Sequence, residues 1–275
     1  MTHPPDLVRK SLRDFWSDLG VADMDDATAP VASVPPRENL RPAIRNAVQP
    51  PSAAIARAKP RRLQTNPTLD ASRLAAGART LDELKLVIER FDGCPLKQAS
   101  RTTVVADGVA DAPVMIIGEA PGEGEDEIGR PFQGSPGALL DRMLATIGLS
   151  RNRNVYLTNL VYWRPPGKRG PTPSELQACA PFLTRQIEIL QPRLLLTVGQ
   201  VATRILLGTE ASLMNLRGRS ASVSREGLAH AIPCVPLLHP AYLLQRPGDK
   251  AKAWDDILSV ASVCDELGIA RDDGL

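Results

Sequence analysis

The hydrophobic pattern changes character twice along the chain. Residues 6–20 (DLVRKSLRDFWSDLG) place Leu7, Leu12, Trp16 and Leu19 near one helical face. Residues 22–70 then lose periodicity and are rich in Pro, Ala, Arg and Asn, too poor in clustered apolar groups to order themselves, so a disordered linker is expected. Helical spacing returns at 80–91, where Thr80 can cap the start and Glu83, three residues on, completes a capping box. From about residue 112 short apolar runs alternate with longer helical patterns. Strands are predicted at 114–117, 155–160, 193–198 and 233–238, and helices at 137–147, 174–190, 200–207 and 249–267. Strands separated by helices need crossover connections. The expected fold is therefore α/β: a three-layer α/β/α domain over residues 71–268 with a central four-stranded parallel sheet, preceded by a helical segment (1–21) and a partly disordered extension (22–70).

That order has a chemical consequence. Ligands of such sheets bind beyond the carboxyl ends of the strands. The first strand is followed by Gly118, Glu119, Ala120, Pro121 and Gly122, and the second ends at Thr158 and Asn159 before Trp163-Arg164-Pro165-Pro166. Gly199 and Gln200 follow the third, and His239, Pro240, Ala241 and Tyr242 the fourth. Acidic, amide and imidazole groups are thus expected on one sheet edge.

Composition adds less. The 275 residues are 43% apolar, enough for a substantial core, and the formal net charge of +2 says little about partners. Its distribution says more: Arg41, Arg45, Arg57, Lys59, Arg61 and Arg62 lie in a stretch without acidic residues, which suits either nucleic-acid contact or plain solvation. Cys94, Cys179, Cys234 and Cys264 form no Cys-x-x-Cys pair. No signal-like start or spanning apolar run is present, so a soluble cytoplasmic protein with reduced thiols and no membrane partner is expected.

Four segments carry a resemblance. GEAPGEGEDEIGRPFQGSPGALLDRML (118–144), NVYLTNLVYWRPPGKRGPTPSE (154–175), LLLTVGQVA (194–202) and LLHPAYLLQRPGDKAKAW (237–254) occur in the order and spacing of family-four uracil-DNA glycosylases. The chain resembles that family over roughly residues 94–260. The resemblance implies a monofunctional enzyme that hydrolyses the N-glycosidic bond of a flipped-out deoxyuridine in DNA, leaving an abasic site. The partner implied is uracil-containing DNA, with the protein acting as a monomer. Such a site must stabilise positive charge on the sugar and negative charge on departing uracil, and supply water.

Roles follow residue by residue from the resemblance. His239 matches the family's His-Pro motif and would hydrogen-bond the uracil oxygen that gains charge; His3 and His230 lie outside the motifs. The Asn159 amide would donate to uracil O4 and accept from N3–H, a pattern cytosine reverses. Phe132 would stack on the base, an interaction worth ~1–3 kcal/mol. Gly118 and Ala120 would border the base. Glu119 or Glu125 would handle the water; Glu119 is favoured because it directly follows the strand, and family-one glycosylases instead carry aspartate where Ala120 stands. Glu123, Asp126 and Glu127 read as a solvated acidic face. Leu243, Leu244 and Arg246 would enter or grip the duplex, and Arg164, Lys168 and Arg169 would contact its backbone.

Two departures stand out. Many family members hold a four-iron, four-sulfur cluster on four cysteines. Cys94 and Cys179 fall at two of those positions, but Phe91 and Trp163 occupy the others and cannot ligate iron, so no cofactor is expected. Lys168 replaces the family's common asparagine, and the loop has no histidine of the kind found in cross-linking relatives. These departures leave a non-catalytic DNA-binding protein on the same fold as the alternative. If the basic 41–62 stretch contacts phosphates, a protein starting near residue 71 will show a shallower fall of log K with log salt for DNA than the full chain. An unchanged slope would leave that stretch with no part in binding.

Overall fold

A computed structural model describes residues 67–225, 227–228 and 230–271. The helix expected at 6–20 and the basic stretch at 41–62 lie outside them. Residues 67–70, expected to belong to the linker, instead open helix α1 (Pro67–Gly77), and the rest of that linker lies outside the described residues. Helix α2 (Leu81–Arg90) is capped by Thr80, whose Oγ1 accepts from the Glu83 N–H at 3.1 Å, but Glu83 reaches back to the Arg79 N–H and not to that of Thr80, so the expected capping box is only half formed.

The predicted strands and helices follow in the anticipated order, with further short elements between them. They are β1 (Ala106–Gly108), β2 (Val114–Gly118), α3 (Glu123–Ile128), α4 (Gly134–Ala145), β3 (Val155–Asn159), α5 (Pro173–Leu190), β4 (Leu194–Val198) and α6 (Gln200–Leu207), then α7 (Leu213–Leu216), β5 (Ala221–Val223), β6 (Ile232–Leu237), α8 (Pro240–Gln245) and α9 (Lys250–Glu266). The sheet has six strands in the order β1-β3-β2-β4-β6-β5. Its four central strands are parallel, as expected, while β1 and β5 are antiparallel edges that the sequence reading missed. Each edge is only three residues long, too short to show a period-two pattern.

All five residues of β2, β3 and β4 are buried, which requires cover on both faces. On one face Met115, Ile117, Leu195 and Cys234 pack with Leu183 and Ile187 of α5 and Ala202 and Leu206 of α6. On the other, α4 contacts α8 and α9, and α9 contacts β6. The chain leaves β2 toward β3 on one side and reaches β4 on the other. The crevice beyond β2 and β4 is thus the switch point where such sheets bind ligands. Among the described residues no helix is long and apolar enough to cross a membrane.

Beside the sheet lies a second core. Phe91, Tyr162, Trp163 and Phe182 meet there with Cys94 and Cys179 and with residues of α1 and α2. Phe91 meets Phe182 edge-on at 4.9 Å between centroids, and Trp163 donates its indole N–H to Thr103 at 3.0 Å. Trp163 is 1% exposed, so its loss leaves a large void. Trp163→Ala will therefore lower the free energy of unfolding by about 3–5 kcal/mol, measured by urea denaturation.

Candidate active site

The site begins with register. Gly118 at the end of β2 pairs with Asn159 at the end of β3. A Cβ at Gly118 would lie 2.4 Å from Asn159 Oδ1 and 2.7 Å from Phe132 Cζ, so the missing side chain is what lets amide and ring converge. Asn159 is 2% exposed, and its Nδ2 is buried with no hydrogen-bond partner. Buried donors are almost always satisfied, so an orphan marks a place for an external acceptor.

Phe132 is also buried, and its backbone is unusual, with φ at 53°. A non-glycine residue held there stores about 1–3 kcal/mol and persists only where neighbours over-determine it. Glu125 is one such neighbour: its carboxylate accepts from the Phe132 and Gly122 N–H groups. Burial pushes the Glu125 carboxyl up, against bonds from Gly122, Phe132 and Gln133 that pull it down. Glu125 is therefore corrected from a water-handling candidate to a backbone anchor, because its oxygens are already engaged.

Glu119 differs. It is half-buried, its pKa is raised by desolvation, and no hydrogen bond to another described residue holds its carboxylate. Its Oε1 lies against Gly170, where a Cβ would come within 2.7 Å. Ala120 turns away and packs on the aromatic core.

His239 caps α8 and is followed by Pro240 at the first helical position, where a missing N–H is harmless. Its Nδ1 accepts from the Ala241 N–H at 3.1 Å. A neutral ring must then carry its proton on Nε2 and can act there only as a donor. Burial pulls its pKa below the ordinary value. The ring rests over Gly199, where a Cβ would lie 3.5 Å from Cδ2, and is nearly parallel to Phe132 (27° between planes, 6.4 Å between centroids). A flat base inserted between them would need about 7 Å, two contacts of about 3.5 Å each. The 6.4 Å between the two rings therefore leaves no room for a base sandwiched between them.

The surrounding surface divides the remaining candidates. Leu243 is fully buried and cannot enter a duplex, because α8 turns it into the core; Leu244, one position on, is 42% exposed. Arg246 is exposed, with its guanidinium 5.6 Å from the Tyr242 ring centroid. Lys168 is exposed at φ 57°, and Arg164 lies 3.7 Å from Glu123. Arg169 grips Glu175 with two bonds of 2.7 and 2.8 Å and holds that carboxyl down to about 2, so its charge is already neutralised locally. Asp126 does not belong to a solvated face: it is 2% exposed and accepts from the Arg101 and Thr102 N–H groups. Arg151, which binds the Phe132 carbonyl at 3.0 Å, was missed because nothing local distinguishes it.

A sequence model of the uracil DNA glycosylase superfamily matches residues 105–258. The chain belongs to that superfamily. Among its relatives is a type-4 uracil-DNA glycosylase of Saccharolobus solfataricus, 36% identical over 203 residues that cover 71% of this chain and 93% of the relative. Another, of Pyrobaculum aerophilum, is 36% identical over 181 residues, 64% of this chain and 91% of the relative. A type-5 enzyme of Thermus thermophilus is 35% identical over 140 residues, 46% and 61% of the two chains.

Within this superfamily fold, the positions expected to hold an iron–sulfur cluster do converge. Phe91, Cys94, Trp163 and Cys179 share the second core, with Phe91 and Trp163 rings 6.5 Å apart. The donor set does not fit the cluster: two thiols stand where four thiolates are needed. Both cysteines are free thiols, and the hydrogen bond between them lowers the pKa of Cys94 and raises that of Cys179.

Burial disfavours the charged imidazole, so the sign at His239 is definite: it loses its proton at a lower pH than a free imidazole. NMR titration will place its pKa below the ordinary value of about 6.5, with the proton on Nε2 at neutral pH. A pKa above 7 would contradict this electrostatic picture.

Proposed function

We propose that the protein is a monofunctional uracil-DNA glycosylase that hydrolyses the N-glycosidic bond of an extrahelical deoxyuridine, giving free uracil and an abasic site. The observation that carries this reading is the buried, unpartnered Asn159 Nδ2 beside the Phe132 ring. Uracil O4 is an acceptor for that donor. Cytosine presents an amino group at the same place and would set donor against donor. A base that rejects its partner there pays the cost of an unmet buried polar group.

The remaining groups supply the chemistry. Uracil stacks on Phe132, and His239 Nε2–H donates to the uracil oxygen that becomes negative as the C1′–N1 electron pair leaves with the base. Glu119 orients a water whose oxygen bonds to C1′ and whose proton passes to the carboxylate. A raised pKa suits that base, provided the group is ionised at working pH. Lys168, Leu244 and Arg246 face solvent, and with the half-buried Arg164 beside Glu123 they are the DNA-contacting set. The donor set around Cys94 and Cys179 supports a protein without the family's iron–sulfur cluster.

The test is uracil release from an oligonucleotide with one deoxyuridine. His239→Ala is expected to lower kcat about 10²- to 10³-fold, and Asn159→Ala to abolish preference for uracil over cytosine. The rate should fall on the acid side as Glu119 takes up a proton, above the usual carboxylate range near pH ~4.3, and Glu119→Gln should flatten that limb. A folded parent that binds the oligonucleotide yet releases nothing would instead favour a non-catalytic binding protein.

A further inference from the structure

The ring that receives the base is fixed by an ion network reaching across three elements. Arg151 lies in the turn between α4 and β3, its side chain 14% exposed. A guanidinium has five N–H donors, and here they make four hydrogen bonds and a further ion-pair contact. Nε reaches Asp141 Oδ1 at 3.0 Å; Nη1 reaches Asp107 Oδ2 at 2.7 Å and the Pro131 carbonyl at 3.4 Å. Nη2 reaches the Phe132 carbonyl at 3.0 Å and Asp141 Oδ1 at 2.9 Å. The fork ties edge strand β1, which supplies Asp107, to α4, which supplies Asp141, and both to the Phe132 loop. Gln133 Nε2 adds a bond to the Pro131 carbonyl at 3.1 Å. The far side of the Phe132 carbonyl is closed by Gly137, where a Cβ would come within 1.9 Å of the oxygen. Glu125 holds the N–H of the same residue.

We propose that Arg151, oriented by Asp107 and Asp141, is a positioning residue that holds Phe132 in its left-handed conformation and so sets the plane on which uracil stacks. The assignment rests on the glycosylase reading above. It demands a guanidinium: the three donors of a lysine ammonium on a flexible stem cannot serve four acceptor atoms spread around Arg151. A purely structural triad would join β1 to α4 with the same bonds, but its loss would act on activity independently of the Phe132 ring.

The experiment compares kcat/KM for uracil release, well below the melting temperature, across parent, Arg151→Met, Arg151→Lys and Asp107→Asn. Arg151→Met and Asp107→Asn are also made in a Phe132→Ala background. Misplacing the ring is expected to lower kcat/KM about 10- to 100-fold in Arg151→Met. Arg151→Lys should fall close to it, and Asp107→Asn should show a smaller loss. In the Phe132→Ala background the same substitutions should change kcat/KM less than about threefold, because residues acting through one another do not add. Affinity for an oligonucleotide carrying a reduced abasic site, which offers no base to stack, should match the parent. Equal losses in both backgrounds, or undiminished kcat/KM in the folded variants, would overturn the proposal. Should Arg151→Met not fold, the pair of Asp107→Asn measurements decides by the same criterion. A parent without uracil release takes down both readings, whereas an active parent with additive losses takes down only this one.

Discussion

The site depends on one steric fact: residue 118 has no side chain. The parallel register of β2 and β3 brings Gly118 level with Asn159, and any Cβ there would collide with the amide oxygen and the Phe132 ring. Without that gap the three groups could not border a common space. Everything else in the site is arranged to keep it: the loop after β2 turns away at Ala120, Glu125 returns to hold the Phe132 N–H, and His239 closes over Gly199. The same close approach explains why an amide with an unmet donor can be tolerated. Strands β2 and β3 beside it are buried along their whole length, so the cost of one orphan is carried by the packed scaffold around it.

A second constraint works at a distance from the crevice. The segment that leaves β3 and carries Tyr162 and Trp163 passes through the aromatic and thiol core before it reaches the basic loop at 164–169. Packing fixes the base of that loop. Trp163 is sealed by Phe91, Tyr162 and a bond to Thr103, and Glu175 pins Arg169 at the start of α5. This region is organised by large apolar side chains around two free, buried thiols. Such a core resists unfolding through close packing.

Charge in the site is governed by burial more than by pairing. Glu119 and His239 both have pKa values moved toward the neutral form by desolvation. Of the cations around them, Arg169 and Arg164 lie against carboxylates and Arg246 lies over the Tyr242 ring, while Lys168 is exposed. The contrast separates the groups suited to proton transfer and charge stabilisation from those suited to gripping a polyanion.

Much of this was legible in the residues themselves. Alternating short β-branched runs and amphipathic stretches determined the central parallel strands and the helices between them, because those patterns are local and periodic. Strand order then put Glu119, Asn159 and His239 on one edge, and the four motifs added Phe132. The short edges β1 and β5 were hidden, since three residues show no period and pair only because a neighbour offers unmet hydrogen bonds. Tertiary structure alone decided which of two glutamates was free, since only the fold reveals that backbone amides already occupy Glu125. It alone showed that Leu243 faces inward while Leu244 faces out, a difference of about 100° around a single short helix. It alone joined Arg151 to Phe132, nineteen positions apart, because that contact is made through space by a side chain whose partners come from three separate elements.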